Sequence, residues 1–508
     1  MVRMWESTLH ADKSCCGLKK VESVGVSNHC RLRLRLLSHS GTEQVCPRVT
    51  INKLPDEVLL EIFGFHMVYP LPPPSHKEDA WHTLVHVCQR WRHVVFGSPR
   101  RLELRLLCAN RRLLNTLDIW PELPVIIHVD DEKLCQLPSV TNVIPVLKRN
   151  DRVCKVFIHN VPNSLLEELA TVAGPFPALI KLELVSFKAE PPMLPDSFLG
   201  GSVPRLRSLD LWGISFPAVG KLLSSTSDLV TLSLGVIPES AYISPDAMVT
   251  ILSALTRLKT LHLIFEIPQF WIDGARQRPL VSPRVVLPAL ADFNFAGDCK
   301  YLENIVSRID APLQCIALTF GELVFDVPHL RDFICRANIL DAPYRANTSF
   351  SYFDACISLF QRKGGVESKV LKLKILCDIS DLQVSSLAQA CSWLLPPLPS
   401  LEHLDIYNSG FSSSGWKYEA DNSQWLDFLH LFITVKDLVL DKPFVLSVAS
   451  ALQGLAAEQA TEILPVLQNI FLEGTQSSGP VPEGIARFIT ARKLSGHPVI
   501  VHHQERKE

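Results

Sequence analysis

The chain has 508 residues, 47% of them hydrophobic, which is enough apolar material for a large core and sets it apart from disordered compositions. Fifty basic side chains stand against 52 acidic ones, so the near-neutral balance gives no electrostatic reason to expect a nucleic-acid or polyanion partner. Fourteen cysteines are scattered with no C-x-x-C spacing, which fits reduced thiols better than a disulfide framework.

Residues 1–48 show no helix or strand period, and the opening "MVRMWESTLHADKSCC" lacks the apolar run of a signal peptide. The alternating "RLRLRLL" at 31–37 permits a strand, but the segment as a whole reads as a poorly ordered leader. From residue 54, "LPDEVLLEIF" predicts a helix. Pro55 suits the first helical position, Asp56 and Glu57 complement the positive helix start, and Leu59, Ile62 and Phe63 are expected to share a face with Val58. Prolines at 70 and 72–74 then forbid continuation and read as a stiff connection. A single second helix is predicted over 80–96, "AWHTLVHVCQRWRHVVF", with Trp81, Leu84, Val87, Cys88, Trp91 and Val95 recurring three or four positions apart. Two short helices bury too little surface to be stable without a partner or a neighbouring domain.

Beyond residue 100 the chain repeats. "VCKVFI" (153–158), "LIKLEL" (179–184), "LRSLDL" (206–211), "LVTLSL" (229–234), "LKTLHL" (258–263), "LADFNF" (290–295), "LQCIAL" (313–318), "VLKLKI" (370–375), "LEHLDI" (401–406), "VKDLVL" (435–440) and "LQNIFL" (467–472) all fit L-x-x-L-x-L. Neighbouring segments start 23 to 34 residues apart, except for one interval of 57 that leaves room for a degenerate unit at "ANTSFSYF", 346–353. Between them lie helical patterns such as "SLLEELATV", "DAMVTILSAL", "YLENIVSRI" and "LQVSSLAQACSWLL". Pro177, Pro204, Pro288, Pro399 and Pro465 each stand two residues ahead of a segment, stopping a helix and letting a strand begin.

Repeated strand–helix units also describe a closed eight-stranded barrel, whose strands read as continuous apolar runs. Here the strands alternate, with Glu183, Asp210, Asn294 and Asp405 between apolar neighbours, and about twelve units exceed eight. The fold class predicted is therefore an α/β solenoid: a small all-α segment at 49–98, then an array over 99–500 with a parallel concave sheet and outer helices, and a tail at 501–508. The position that often holds asparagine in such repeats carries Phe187, Ile214, Ile237, Glu266 and Asp298, so the array is degenerate. "FVLSVASALQGLAA" at 444–457 is too short for a membrane span and contains Gln453, so it reads as a buried helix of a soluble chain.

Catalytic patterns are missing. No phosphate-binding glycine loop or nucleophile elbow occurs, and His82 and His86, four apart, lack the glutamate and third ligand of a zinc site. No metal and no cofactor is expected.

The spacing of Leu54-Pro55, Glu57, Leu59 and Ile62-Phe63, followed by Leu84, Val87-Cys88, Trp91-Arg92 and Val95, resembles the F-box. This helical module links proteins to the Skp adaptor of cullin-RING ubiquitin ligases. With the continuation "VVFGSPRRLELRLLC" and the degenerate array, residues 50–500 are similar to the large F-box/leucine-rich family of mushroom-forming fungi. The resemblance implies an F-box at 49–98 that docks the adaptor through Leu54, Pro55, Glu57, Leu59, Ile62, Phe63, Leu84, Val87, Cys88 and Trp91. It also implies a non-enzymatic substrate receptor acting in the cytoplasm or nucleus, with neither a nucleic-acid nor a membrane partner. Cargo would meet the outward strand positions Lys181, Glu183, Asp210, Trp212, His262, Asn294, His403, Asp405 and Tyr407, with Trp212 and Tyr407 as aromatic anchors. Two other readings are a scaffold without ubiquitin transfer, and a barrel enzyme with polar residues converging at the strand ends.

Overall fold

The computed structural model describes residues 51–68, 80–109, 123–129, 145–147, 149–160, 174–188, 190–266, 284–321, 327–337, 339–340, 342–377, 379–409, 421–455, 459–474 and 480–504. The leader, the proline connection at 70–74, "SLLEELATV" and most of "NSGFSSSGW" lie outside the described residues. The chain divides into two compact units, residues 1–128 and 129–508, so the boundary falls later than the expected residue 98.

In the first unit, α1 (Asp56–Val68), α2 (Ala80–Val85) and α3 (Gln89–Gly97) pack on one another. The single helix predicted over 80–96 is in fact two. Val87 N donates to Leu84 O, which closes α2 as a turn, and Cys88 is extended at φ −160°. The Cys88 thiol then accepts from Trp91 N at the start of α3, while Arg92 Nε donates to Val85 O at 3.1 Å and satisfies the end of α2. The fully buried Trp81 donates through Nε1 to Arg105 O at 2.8 Å, and Leu102, Leu104 and Leu106 are buried as well. That tie carries the first unit past residue 98, into β1 (Leu106–Ala109) and its parallel partner β2 (Val125–Val129), two strands outside the eleven predicted segments.

The second unit is a strand–helix array. Its strands are β3 (Val153–His159), β4 (Lys181–Val185), β5 (Ser208–Trp212), β6 (Thr231–Ile237), β7 (Thr260–Phe265), β8 (Val285–Val286), β9 (Asp292–Gly297), β10 (Ile309–Asp310), β11 (Cys315–Phe320), β12 (Arg345–Phe350), β13 (Asp354–Lys363), β14 (Val366–Leu376), β15 (His403–Asn408), β16 (Asp437–Asp441), β17 (Asn469–Glu473) and β18 (Ile500–Gln504). All eleven leucine-spaced segments are strands of one sheet, ordered β3-β4-β5-β6-β7-β9-β11-β14-β13-β12-β15-β16-β17-β18. The sheet is open, since β18 pairs with β17 alone among the described residues, and this excludes the barrel. Because β18 runs over Ile500–Gln504, the expected tail at 501–508 begins inside the last strand.

The 57-residue interval holds more than a degenerate unit. Lys363 and Val366 face each other across Gly364 (φ +59°) and Gly365 (φ +80°), a two-residue hairpin turn with both φ values positive, which glycine adopts without strain. The turn sends β14 back along β13, and β13 is antiparallel to both β12 and β14. An insert of three strands whose middle one is reversed keeps the outer two aligned with the array. Accordingly β14 runs parallel to β11, and β12 runs parallel to β15.

Helices α4 (Val219–Leu223), α5 (Pro245–Ala254), α6 (Cys299–Val306), α7 (Pro328–Arg336), α8 (Ser380–Leu394), α9 (Asn422–His430) and α10 (Lys442–Gln453) pack in succession, each on the next. Asp298, at one of the positions that lacks asparagine, caps α6 by accepting from Tyr301 N at 2.8 Å. In α10 the buried Phe444, Val445, Val448 and Leu452 form one face, and among the described residues no helix is long and apolar enough to cross a membrane. Between sheet and helices, the inward leucines of one strand lie in register with those of the next, Leu182–Leu209–Leu232–Leu261–Phe293–Ile316 and Leu184–Leu211–Leu234–Leu263–Phe295–Leu318, all of them buried.

The array closes around one buried cation. Arg492, on α12 (Glu483–Leu494), is fully enclosed and donates to the carbonyls of Ala460, Ile463, Leu464, Pro465 and Leu467 at 2.9–3.4 Å. These oxygens lie in and just after the short helix α11 (Gln459–Glu462), where helix geometry leaves carbonyls without intrahelical partners. Arg492→Met should therefore strip several buried acceptors at once. We expect a loss of about 3 kcal/mol or more in denaturant midpoints, with hydrogen-exchange protection falling first in residues 459–504, and Arg492→Lys giving a smaller loss.

Candidate functional site

Helix α1 carries two apolar faces. Leu59 and Phe63 are 0% exposed and Leu60 is nearly so, whereas Val58 (42%), Ile62 (39%) and Phe65 (69%) look outward. The expected common face of Val58, Leu59, Ile62 and Phe63 is corrected by this split: 58 and 62 lie one turn apart on one side, 59 and 63 on the other. Ile51 and Val87 add to the exposed apolar surface of the unit.

Of the residues expected to meet an adaptor, Pro55, Glu57, Ile62 and Val87 are exposed, and Leu54, Cys88 and Trp91 are half-buried. Leu59, Phe63 and Leu84 instead help to fill the unit's own core, where α1, α2 and α3 pack on one another. Trp91 packs on Phe63 with ring centroids 4.7 Å apart. A further residue positions the motif: Arg90 Nη2 donates to Leu54 O and to Asp56 Oδ1, both at 2.6 Å, fastening the Leu54-Pro55 turn to α3. Its only sequence signal is an arginine between two helix-face positions.

In the second unit, strand register gathers residues that are far apart in sequence. Glu183, Asp210, Ser233, His262 and Asn294 are successive partners on β4, β5, β6, β7 and β9. The same row continues through Ala317, Lys372, Ser358 and Asn347 to Asp405. Five of the expected cargo residues, Glu183, Asp210, His262, Asn294 and Asp405, thus share one line across the sheet, and Trp212 and Tyr407 each stand two residues further along their strands. Asp405 is corrected as a contact residue, being buried and paired with Arg345 Nε at 2.5 Å. On the later strands His403 Nδ1 lies 2.9 Å from Asp437, Asn469 donates to Asp437 at 2.7 Å, and His502 meets Asn469 at 3.2 Å, a polar chain over four strands.

Around Trp212 the face is unusually fixed. The indole lies on Gly235, where an added Cβ would come within 2.3 Å of the ring, and Nε1 donates to Ser233 Oγ at 3.3 Å. Gly235 opens a register shift in β6, and Val236 takes φ +46°, a strained value for a β-branched residue. Neither Ser233 nor Gly235 carries a pattern that sequence reasoning could use.

The acids on this face differ. Burial opposes ionisation of Glu183, yet the hydrogen bond from His159 and the charge and hydrogen bond of Lys181, each at 3.0 Å, bring it down to about 2. Asp210 goes the other way. Burial first, then repulsion from Glu183, push it from an ordinary 3.8 up to about 6, against weaker help from Ser233, Lys181 and His262.

No protein-family model matches the chain, and no curated protein matches it. Among solved structures, the leucine-rich repeat-containing protein LegL7 from Legionella pneumophila is similar over 68% of this chain and 91% of that one, at 13% sequence identity and a TM-score of 0.25. A likeness that loose carries no argument. The α/β repeat architecture rests on the chain's own register.

Two outcomes follow from this face. Folding raises the Asp210 acid, so between about pH 4 and pH 6 the folded chain holds a proton that the unfolded chain has released. Its stabilising contribution is full below that window and lost as pH rises through it. Asp210→Asn should raise stability near pH 7 by about 1–2 kcal/mol and flatten the pH dependence of the melting temperature across the window. Gly235→Ala should displace the indole and cost about 1–3 kcal/mol in denaturant melts.

Proposed function

We propose that this chain is the substrate-recognition subunit of a Skp/cullin/F-box ubiquitin ligase, in which the helical unit docks the Skp adaptor and the strand array holds a target protein. The observation that carries the reading is the second apolar face of α1. Val58, Ile62 and Phe65, with Val87 and Ile51, remain exposed after the unit's own core is complete, and they belong to the segment whose spacing resembles an F-box. A helix apolar on both sides is stable in water only when the second side is also covered. Helices of an adaptor supply that cover.

The array's role in this reading is to present a broad, outward-facing row of polar and aromatic side chains to cargo. The chain contributes positioning and local concentration, and the transfer chemistry belongs to the conjugating enzyme that the ligase brings. It acts without cofactor or metal, in the cytoplasm or nucleus.

Adaptor pull-down with purified Skp tests the docking half. Val58→Glu with Ile62→Glu should weaken capture by about 100-fold or more while leaving the melting temperature within a degree or two, since neither residue is part of the core. Phe63→Ala should do the reverse in part, lowering stability by about 3–5 kcal/mol. Undiminished capture by the folded double variant would remove α1 as the docking helix. Accumulation of a co-purified target when the chain is depleted separates a degradative receptor from a scaffold.

A further inference from the structure

On the outward face of the sheet, five carboxylates each have a basic neighbour within 4 Å: Glu183 has Lys181 and His159, Asp292 has His262, Asp354 has Lys374, Asp405 has Arg345, and Asp437 has His403. Asp210 sits in the same register row and has no basic partner at that distance among the described residues. Its Oδ1 is closed off from solvent and makes no hydrogen bond. A half-buried carboxylate whose inner oxygen is left this way costs stability, because desolvation is not repaid by an opposite charge in contact with it.

Beside it stands the Trp212 indole, two residues along the same strand and on the same face. The ring is held by the absence of a side chain at Gly235 and by the Nε1 hydrogen bond to Ser233, the residue in register with Asp210 on the next strand, whose hydroxyl favours the ionised acid. Serine thus fixes the aromatic plane beside the acid. A pre-set aromatic face next to an unneutralised carboxylate matches a cationic side chain, which gains from the ring quadrupole and from the charge together.

The geometry points to a seat for a lysine or arginine side chain of the bound protein, formed by Trp212, Asp210 and Ser233 between Glu183 and His262. The carboxylate is half-buried, with Oδ1 turned inward, so the cation meets the group from its exposed side and needs no backbone movement. Glu183 is already matched by Lys181 and His159, and therefore screens the seat rather than competing for the ligand. The inference deepens the receptor reading, on which it rests in taking the sheet face as the cargo surface.

The test uses the full chain and the indole Nε1–H resonance of Trp212, assigned by its loss in Trp212→Phe among the nine tryptophans. Hexaarginine and hexalysine amides are the probes, with hexaglutamine amide as the neutral control, all at low salt. The expected result is a saturable shift of that resonance with both cationic peptides and none with hexaglutamine. In Asp210→Asn, which keeps the fold because it removes a destabilising charge, binding read at the same resonance should be at least about tenfold weaker. No shift with either cationic peptide, an equal shift with hexaglutamine, or undiminished affinity in Asp210→Asn would overturn the seat. Skp capture by the same samples keeps the two readings apart. Capture without any peptide-induced shift sinks the seat and leaves the adaptor docking standing, whereas a shift that Asp210→Asn abolishes, in a chain that captures no Skp, supports the seat and sinks the ligase assignment.

Discussion

The second unit depends on its leucine columns. Leu182, Leu209, Leu232, Leu261, Phe293 and Ile316 are each buried against the same position of the next strand, as are Leu184, Leu211, Leu234, Leu263, Phe295 and Leu318. Full burial of one such side chain contributes about 1.5–3 kcal/mol, and no strand can realise it alone. Each unit's core is completed by its neighbours, which makes the stability close to a sum of nearest-neighbour terms. The alternate positions are released from that task. They can carry a carboxylate such as Asp210 at a local cost, because the columns beneath keep the sheet in place.

The three-strand insert obeys the same constraint. Leu371, Leu359, Ala346 and Leu404 continue the first column across β14, β13, β12 and β15, and Leu373, Ile357, Thr348 and Ile406 continue the second. All of these are buried, including the hydroxyl of Thr348. Strand polarity reverses at β13, yet the inward side chains stay inward because the hairpin preserves the twofold period of the pleat. The columns therefore tolerate a change of direction, but a one-residue slip would turn every apolar side chain to the outside.

The first unit meets the opposite situation, a surplus of apolar surface on too few helices. Leu59, Phe63, Trp81, Leu84 and Val95 close a small core, and Arg90 and Arg92 hold the helix ends by bonding backbone carbonyls. What remains, Val58, Ile62 and Phe65, has no counterpart among the unit's described residues to cover it. The two surfaces thus differ in kind: an apolar helix face in one unit, and in the other a polar row in which most acids already have partners.

Much of this was legible in the sequence. L-x-x-L-x-L located eleven strands of the sheet, alternation chose an open sheet over a barrel, and a helix was expected from residue 54 on the strength of Pro55 and its acids, where the observed one runs over Asp56–Val68, because period and capping are local properties. The Gly364-Gly365 hairpin was not among these readings, which expected only a degenerate unit in the long interval. Other features needed tertiary structure. The break at Val87 and Cys88 depends on Arg92 reaching back to Val85, the inward face of α1 was chosen by what α2 and α3 offered it, and Arg492 acquired its role only where five carbonyls converge. Asp210 and Asp405 read alike as acids between leucines. Register set Arg345 beside Asp405 and left Asp210 next to Glu183, so the charge each acid experiences was decided by strands distant in the chain.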